Sequence, residues 1–356
     1  MKTVGMLFFL FATALFFNPA QVSGQEAASA PKISIFEALM RADTLNLALS
    51  TDVGKLTKSK RETAAYQEAT VAYADRAGQY VRKPVKVKAR GKMRFETCRI
   101  PLIKLKFPDS ELDKEGLEDF SGIKMVVLCE KGDQYEQFVL REYIAYKIYN
   151  ILTDNSFRVQ LVKITITDTQ NKMKPVESFA ILLESEEELA ARLGGKLVMP
   201  KILSPKGVSA PEFDLMCIFQ YMIGNTDWTT YNHHNTRSFK AANHELPVCI
   251  AYDFDYAGIV NAPYAVPSEG LPIKSVQERI FRGLCRPAGE YEKAFKVFQD
   301  KKGEITALCQ NFPYFSKSSR SYVTDYIEEF YSTLESPRKV KSEMTDRCDE
   351  YFKMKN

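Results

Sequence analysis

Alternating apolar and polar positions dominate the first half of the chain. Val85, Val87 and Ala89 alternate with basic residues, and Leu102–Phe107 alternates again with two lysines on one face. Further strand-like runs lie at 45–49, 123–129, 160–167 and 177–183, and an amphipathic helix spans 137–152. This order predicts a sheet of about five strands, with one helix inserted after the third.

Helical periodicity takes over near Pro211. Phe213–Ile223 is strongly apolar and predicts a buried helix. Later apolar spacings predict helices at 273–284, 288–312 and 319–353. Thr236–Phe239 and Val248–Ala251 have the length and composition of two short strands, joined by the polar turn 242–245. The chain is therefore predicted to be α+β, with a β-rich N-terminal half and a helical C-terminal half.

The first residues have the features of a secretory signal peptide. Lys2 precedes the apolar stretch Leu7–Phe17, and the small residues Val22-Ser23-Gly24 offer a cleavage site. The apolar stretch is too short to span a bilayer, so we expect an exported protein, periplasmic or secreted, with no membrane span after cleavage. The predicted organisation is a signal peptide at 1–24, an N-terminal extension at 25–69, a β-rich region at 70–210 and a helical region at 211–356.

Composition narrows the class of partner. The net charge of +4 is small for 356 residues, and no basic patch is interleaved with aromatic residues, which argues against nucleic acid. The basic run Lys83–Arg94 is predicted to be a solvated strand face, with phosphate contact as the alternative. Seven cysteines are an odd number, so at least one thiol lies outside any intramolecular disulfide. Cys217 and Cys249 lie in apolar runs and are predicted to be core residues.

The most informative residues follow the predicted helix Phe213–Ile223. Asp227 comes first, then Asn232 or Asn235, and then Asp253 at the end of the second short strand. In protein kinases a loop aspartate acts on the attacking hydroxyl, while an asparagine and a second aspartate hold Mg²⁺ against the nucleotide phosphates. The order of the groups here is the same, although such residues are also common in turns. The pattern favours phosphoryl transfer.

A kinase fold also needs a strand lysine that contacts phosphates and pairs with a glutamate on the first helix. Glu142 is the candidate glutamate, and its partner is left open among Lys104, Lys106 and Lys124. The run from Phe179 to Glu184 is predicted to be the hinge strand that reaches the adenine.

These motifs resemble the CotH kinase-like family, named after a bacterial spore-coat protein. The resemblance rests on Arg90-Gly91, on Asp227 with His234-Asn235, and on Asp253-Phe254-Asp255, and it covers roughly residues 40 to 335. The stretches Tyr252–Gly258 and Asn261–Pro267 are similar to an exported bacterial subgroup.

The resemblance implies a two-lobed atypical protein-kinase-like fold that phosphorylates Ser or Thr of a partner protein with ATP and Mg²⁺, or Mn²⁺. It favours Asn235 over Asn232. It implies Asp227 as the base, Asn235 and Asp253 as metal ligands, Asp255 in support of a second metal, and Arg90 with one of the lysines on the phosphates.

Two other functions fit the same residues. The first is an envelope or cell-surface binding protein on a kinase fold that has lost catalysis, because an exported protein meets little ATP. The second is a metal-dependent hydrolase that uses Asp227, His234 and Asp253. A zinc site built from His233 or His234, His244 and an aspartate is a further possibility.

Overall fold

A computed structural model describes residues 33–59, 63–91, 94–287 and 289–351. Its strands are β1 (Ile33–Ser34), β2 (Leu45–Thr51), β3 (Gln67–Ala74), β4 (Tyr80–Arg90), β5 (Leu102–Lys106), β6 (Leu117–Glu118), β7 (Ile123–Val126), β8 (Val159–Asp168), β9 (Val176–Leu183), β10 (Lys196–Leu197), β11 (Thr236–Lys240) and β12 (Val248–Ala251). Its α-helices are α1 (Ile35–Leu39), α2 (Val53–Lys58), α3 (Arg94–Thr97), α4 (Asp109–Leu112), α5 (Asp133–Leu152), α6 (Glu186–Arg192), α7 (Ala210–Ile223), α8 (Glu290–Asn311), α9 (Lys317–Leu334) and α10 (Pro337–Glu343). The fold is mixed α+β, as predicted; the predicted signal peptide lies outside the described residues.

Seven strands form a closed barrel, whereas the pattern predicted a sheet of about five strands. The barrel order is β2-β3-β4-β5-β7-β9-β8. Strand β2 closes it by pairing in parallel with β8, from Leu45 opposite Val162 to Thr51 opposite Asp168. Closure leaves no free sheet edge in the barrel. Every second residue of β2, beginning with Leu45, is buried, and the apolar side chains on this face fill the barrel interior.

The predicted N-terminal extension at 25–69 contains part of this barrel. Strand β2 lies wholly inside it, and the predicted boundary at residue 69 falls within β3. The backbone N–H of Val53 also donates to Asp168 Oδ1 at 3.1 Å, which fixes the start of α2 at the end of β8. The charged stretch after β2 therefore connects two barrel strands and does not separate a tail from the fold.

Helix α5 joins the barrel to the helical half through aromatic contacts. It begins one turn earlier than predicted, and it buries Tyr146 and Tyr149. The Tyr149 ring stacks on Phe219 of α7 with centroids 4.3 Å apart. Phe254 packs on Tyr146 at 4.6 Å and on Phe219 at 5.3 Å. This cluster anchors the segment that contains Asp253 and Asp255 in the core.

The helical half departs from the prediction in two places. Residues 273–284 form no helix; their path is set by side-chain bonds such as Arg279 Nε to the Met222 carbonyl oxygen at 3.3 Å. The helix predicted over 319–353 ends at Leu334, and α10 restarts at Pro337. A proline lacks the N–H that a continuous helix would need, and it is well placed in a first helical turn.

Two disulfides tie distant parts of the chain together. Cys98 bonds to Cys129, and Cys285 bonds to Cys348 across 63 residues. Cys217, Cys249 and Cys309 are free and buried, which confirms the core prediction for the first two. Within the described ranges, no helix is long and apolar enough to cross a membrane. The basic run is only partly solvated, because Lys83 and Arg94 are both buried.

Candidate functional site

The loop that carries Asp227 has a defined path because its start is fixed. Helix α7 ends where Gly224 adopts φ +66°, a conformation that suits glycine, and an added Cβ there would overlap the Tyr326 hydroxyl. The Asn225 side chain then accepts a hydrogen bond from the backbone N–H of Asp227 at 3.0 Å. Asp227 is therefore held on an ordered turn directly after a buried helix.

Arg282 holds the backbone on both sides of Asp227. Its Nη1 donates to the carbonyl oxygens of Thr226 and Trp228, each at 2.7 Å, and its guanidinium lies 5.0 Å from the Trp228 ring centroid. Burial lowers the pKa of Arg282 to about 10. The sequence analysis missed this residue because it predicted a helix across 273–284, where an arginine has no special meaning.

Both oxygens of the Asp227 carboxylate have partners across the loop. Asn235 Nδ2 lies 3.0 Å from Oδ2 and 2.8 Å from the Asp227 backbone oxygen, and His234 Nε2 lies 2.8 Å from Oδ1. Asn232, the other candidate, instead accepts from the backbone N–H of His234. The structure therefore brings Asn235 to Asp227 and leaves Asn232 outside the cluster.

Asp253 lies at the same end of the β11–β12 hairpin as Asn235. The backbone N–H of Tyr252 donates to the Asn235 carbonyl oxygen at 3.1 Å, and the Asp253 N–H donates to the Tyr146 hydroxyl at 2.8 Å. Asn235 and Asp253 both have positive φ, 49° and 65°. Such backbone conformations are uncommon outside glycine, and they cluster at functional sites.

Asp255 belongs to a buried cluster with Arg94 and Glu142. Its Oδ2 accepts from Arg94 Nη2 at 3.4 Å and from the Tyr264 hydroxyl at 3.1 Å. The same Arg94 nitrogen lies 3.8 Å from Glu142 Oε2, while Nη1 donates to the Val127 carbonyl oxygen at 2.7 Å. Glu142 thus has an arginine partner and not the strand lysine that we predicted.

Burial and charge oppose each other in this cluster. Burial raises the pKa of Asp255 to about 6, and the Asp253 carboxylate adds to the rise. Burial also raises the pKa of Glu142, followed by the charge of Asp255. Burial alone would lower the pKa of Arg94, but Tyr264 and the carboxylates hold it above its usual value. The single Arg94 guanidinium therefore faces two carboxylates, Asp255 and Glu142, and its one positive charge cannot neutralise both.

The pairing in this cluster is also incomplete. Within the described residues, Arg94 Nε and Glu142 Oε1 are buried without a hydrogen-bond partner. Both residues line a cavity of about 10 Å³, together with Tyr264 and Val260. That volume is close to the smallest that holds one water molecule. Unsatisfied buried polar atoms are costly, so the cluster next to Asp255 is held at an energetic penalty.

The three candidate lysines occupy different environments. Lys124 is buried, and its Nζ lies 2.6 Å from Glu186 Oε1. Lys104 lies opposite Lys124 in the β5–β7 register and is half-buried, whereas Lys106 is exposed. Burial lowers the pKa of Lys124 despite the attraction of Glu186, and the charge of Arg90 lowers it further. Lys124 and Arg90 therefore lie near enough for their positive charges to repel each other.

Glu186 and Arg237 complete the surroundings of Lys124, and the sequence analysis identified neither. Arg237 Nε lies 3.1 Å from Glu186 Oε1, the oxygen that Lys124 also contacts. The Tyr252 ring lies against both cations, with Arg237 Cζ 4.6 Å and Lys124 Nζ 5.3 Å from its centroid. Arg237 lies two residues after Asn235, and Tyr252 directly before Asp253. This ion cluster thus adjoins the Asp227 loop.

Glu184 is engaged elsewhere. It is fully buried, and Arg158 Nε and Arg192 Nε each lie 3.0 Å from its Oε1. Its Oε2 accepts from the Arg158 backbone N–H and from Arg192 Nη2, also at 3.0 Å. The carboxylate predicted to lie at an adenine hinge thus has both oxygens occupied by two arginines.

No group of three or more His, Cys, Asp or Glu side chains in the described part of the chain could hold a metal ion. The histidines are dispersed: His233 Nε2 lies 2.6 Å from the Pro200 carbonyl oxygen, and His244 Nδ1 lies 3.7 Å from a Glu212 oxygen. This geometry does not fit the zinc alternative. A Mg²⁺ shared with substrate phosphates needs only one or two protein oxygens, so this finding leaves that arrangement open.

Comparison with known proteins gives little more. No protein family matches the chain, and no curated protein does. A similar solved structure is the crystal structure of a Helicobacter pylori proinflammatory kinase, CtkA. It is 12% identical in sequence, the match covers 71% of this chain and 95% of that chain, and the TM-score is 0.41. At that TM-score the similarity carries no argument about function, and the CotH resemblance stays a prediction.

Proposed function

We propose that the protein is a kinase-type phosphotransferase and that Asp227 accepts the proton of the attacking hydroxyl. The observation that carries this proposal is the contact of Asn235 Nδ2 with both the carboxylate and the backbone oxygen of Asp227. Asp253 follows one hairpin later, beside Asn235. A base, an amide and a second carboxylate in this order are the groups that kinases use in phosphoryl transfer.

Asn235 and Asp253 would hold a Mg²⁺ or Mn²⁺ ion. The Asn235 amide nitrogen is used by Asp227, which leaves its carbonyl oxygen Oδ1 to bind a cation. Burial raises the pKa of Asp255 and the Asp253 carboxylate raises it further, so a divalent cation bound at Asp253 would offset the repulsion between the two carboxylates. Bound there, the ion would neutralise phosphate charge. Asp255 would support it indirectly, because Arg94 and Tyr264 already occupy its Oδ2.

The rest of the loop would orient the base. Arg282 and Asn225 fix the backbone around Asp227, and Asn235 fixes its carboxylate. His234 lies on Oδ1 and is half-exposed, so an incoming acceptor hydroxyl could replace it there. Arg90 and Lys124 would contact the donor phosphates.

The finer parts of the proposal concern fold, donor, acceptor and compartment. We place the chain in a two-lobed atypical kinase fold related to CotH, with ATP as donor and Ser or Thr of an exported protein as acceptor. Two disulfides support export, because such bonds persist in oxidising compartments. The apolar leader sequence predicts the same destination.

One observation favours a binding protein that has lost catalysis as the second candidate. Lys124 pairs with Glu186, and among the described residues Glu142 pairs with Arg94, so the described part of the chain does not form the lysine–glutamate pair of active kinases. The hydrolase has less support, because it needs a metal site built from protein ligands, and the described residues form none.

The central test is transfer of labelled γ-phosphate from ATP, in Mg²⁺ or Mn²⁺, to the protein itself or to a Ser/Thr-rich protein. Asp227→Asn keeps the shape of the side chain and removes its charge, so transfer should fall by roughly 10²-fold or more. Asn232→Ala, on the same loop, should leave transfer unchanged. Equal transfer by wild type and Asp227→Asn would remove Asp227 as the base, and absence of transfer with retained nucleotide binding would favour the binding protein.

A further inference from the structure

Lys124 and Arg237 share a single carboxylate oxygen. Glu186 Oε1 lies 2.6 Å from Lys124 Nζ and 3.1 Å from Arg237 Nε. The three side chains are largely buried, with 11%, 22% and 16% of the Lys124, Arg237 and Glu186 side chains exposed. Lys124 comes from the barrel, Arg237 from the β11–β12 hairpin and Glu186 from the start of α6. The contact thus joins three separate elements at one oxygen.

Two further cations, Lys104 and Arg90, are associated with Lys124. Lys104 lies directly opposite Lys124 across the β5–β7 pair, so both side chains leave the sheet on one face. Like charges that face each other across strands are destabilising. The charges of Arg90 and Arg237 also act on Lys124 and lower its pKa, after the larger effect of burial. Two cations therefore contact the Glu186 carboxylate, the charge of Arg90 acts on one of them, and Lys104 lies on the same face of the sheet.

We propose that Arg237 is a further phosphate-binding residue, which with Lys124, Lys104 and Arg90 forms a site for a triphosphate chain, and that the Glu186 carboxylate occupies this site until phosphate replaces it. Arg237 Nη1 already donates to the carbonyl oxygens of His233 and Thr236, so Nε and Nη2 would form the fork that binds two phosphate oxygens. The lysines would act as compact charges. A triphosphate brings the several negative charges that one carboxylate lacks. The inference rests on the proposed function in taking this cluster of cationic side chains as the place of the donor phosphates.

The triphosphate chain has two sources, a nucleoside triphosphate and inorganic tripolyphosphate. Inorganic tripolyphosphate in EDTA is the first probe, because it needs neither a metal nor a base contact. ATP in EDTA is the second probe. Equal affinity for tripolyphosphate and ATP would mean that the site contacts only the phosphate chain. Tighter binding of ATP would mean that the site also contacts the nucleoside. In both cases the cluster of cationic side chains is the element that binds the phosphate chain.

The decisive variant is Glu186→Gln, measured by isothermal titration calorimetry with tripolyphosphate in EDTA. Removing the competing charge should tighten binding about tenfold or more. Glu187→Gln is the matched control, because it makes the same change of net charge at the exposed neighbouring residue, and its affinity should equal that of wild type. Equal affinity of Glu186→Gln and Glu187→Gln would overturn the proposal.

A second change tests Arg237 itself. In the Glu186→Gln background, Arg237→Gln should remove the gained affinity, whereas Lys196→Gln, at an exposed lysine of β10, should keep it. Retention of the gain without Arg237 would exclude that residue from the site. If Glu186→Gln does not fold, Glu186→Asp replaces it, because the shorter carboxylate should loosen the contact and give intermediate affinity; unchanged affinity there would count against the proposal.

These outcomes are separate from those of the phosphotransferase proposal. Tripolyphosphate binding in EDTA depends on neither Asp227 nor Asp253. Tighter tripolyphosphate binding in Glu186→Gln without any phosphate transfer would support the anion site and contradict the phosphotransferase proposal. Phosphate transfer, with no effect of the Glu186 and Arg237 substitutions on tripolyphosphate binding, would support the phosphotransferase proposal and contradict the anion site.

Discussion

Two buried glutamates, Glu184 and Glu142, lie in contrasting ion clusters. Glu184 receives two arginines, and both of its oxygens accept hydrogen bonds at 3.0 Å. Glu142 has one arginine at 3.8 Å, and its Oε1 has no partner in the described part of the molecule. Burial raises the pKa of Glu142 well above its usual value. The same side chain is thus satisfied at one place and under-paired at another.

The difference separates a cluster with the features of a structural ion pair from one with the features of a functional site. A buried carboxylate with all its hydrogen bonds fixes neighbouring elements, here β8, β9 and α6. An under-paired carboxylate destabilises the resting protein, and clusters with such perturbed pKa values concentrate at functional sites. The position of Glu142 beside Asp255 and Arg94 therefore supports a functional cluster, whereas Glu184, predicted to be a nucleotide-binding residue, has the features of a structural one.

The largest effect is expected from Glu184→Gln. It leaves Arg192 without its carboxylate partner, whereas Arg158 keeps Glu188 and Glu37. Breaking such a pair should cost about 3 kcal/mol of unfolding free energy, the lower end of the range for buried pairs, because both arginines are partly exposed. Urea unfolding at neutral pH measures it, with the exposed Glu187→Gln as a control expected within about 0.5 kcal/mol of wild type. A loss below about 1 kcal/mol would mean that the Glu184 cluster is no more structural than the Glu142 cluster.

Asp253→Ala should abolish stabilisation by Mg-ATP. A nucleotide at saturating concentration adds roughly 2–4 kcal/mol of apparent stability, and without Asp253 the cation loses its main carboxylate. Thermal unfolding with and without Mg-ATP measures the difference. Asp154→Asn, at a residue outside the site, is the control and should respond like wild type. An undiminished response in Asp253→Ala would place the cation elsewhere.

A pH-dependent effect is expected from Asp255. Its pKa rises from an ordinary value of 3.8 to about 6, through burial and then the charge of Asp253. A raised carboxyl pKa favours the protonated form in the fold, so its contribution to stability is complete below about pH 4 and is lost as the pH rises through about 6. Relative to Asp255→Asn, wild type should lose about 1–2 kcal/mol over this range, as measured by urea unfolding. A constant difference between the two proteins would show that Asp255 titrates normally.

The smallest effect should come from Glu142→Gln. Removing a poorly compensated buried charge costs little, so unfolding free energy should change by less than about 1 kcal/mol, toward greater stability. The comparison with Glu184→Gln is direct, because both changes are isosteric and both positions are buried. A loss as large as that of Glu184→Gln would erase the distinction between the two clusters.

Local patterns predicted many of the elements but not the way in which they close. Strands β4 and β5, helix α7 and the β11–β12 hairpin lie within a few residues of the predicted bounds, since alternation and apolar runs report burial of each segment. The pairing of β2 with β8 joins residues more than 100 positions apart, and periodicity contains no information about register between distant strands. The barrel was missed for that reason.

The candidate site could also be predicted only in part. Asp227, Asn235 and Asp253 are predicted as site residues because their order along the chain matches that of kinases. The structure brings Asn235 into contact with Asp227 and places Asp253 at the same end of the hairpin as Asn235. Arg94 was assigned to a solvated basic run, since nothing in the local sequence distinguishes a buried arginine from its exposed neighbours. Its partners, Glu142 and Asp255, are 48 and 161 residues away along the chain.

The Cys285–Cys348 disulfide also determines how the protein bears mechanical tension. Helices α8, α9 and α10 lie between the two cysteines, which are 63 residues apart. A pull on the C-terminal end passes through the sulfur bridge directly to Cys285, so the three helices are shielded from the force. At about 3.3–3.6 Å per extended residue, the bridge withholds roughly 200 Å of chain from stretching. Only reduction of this bond exposes those helices to load.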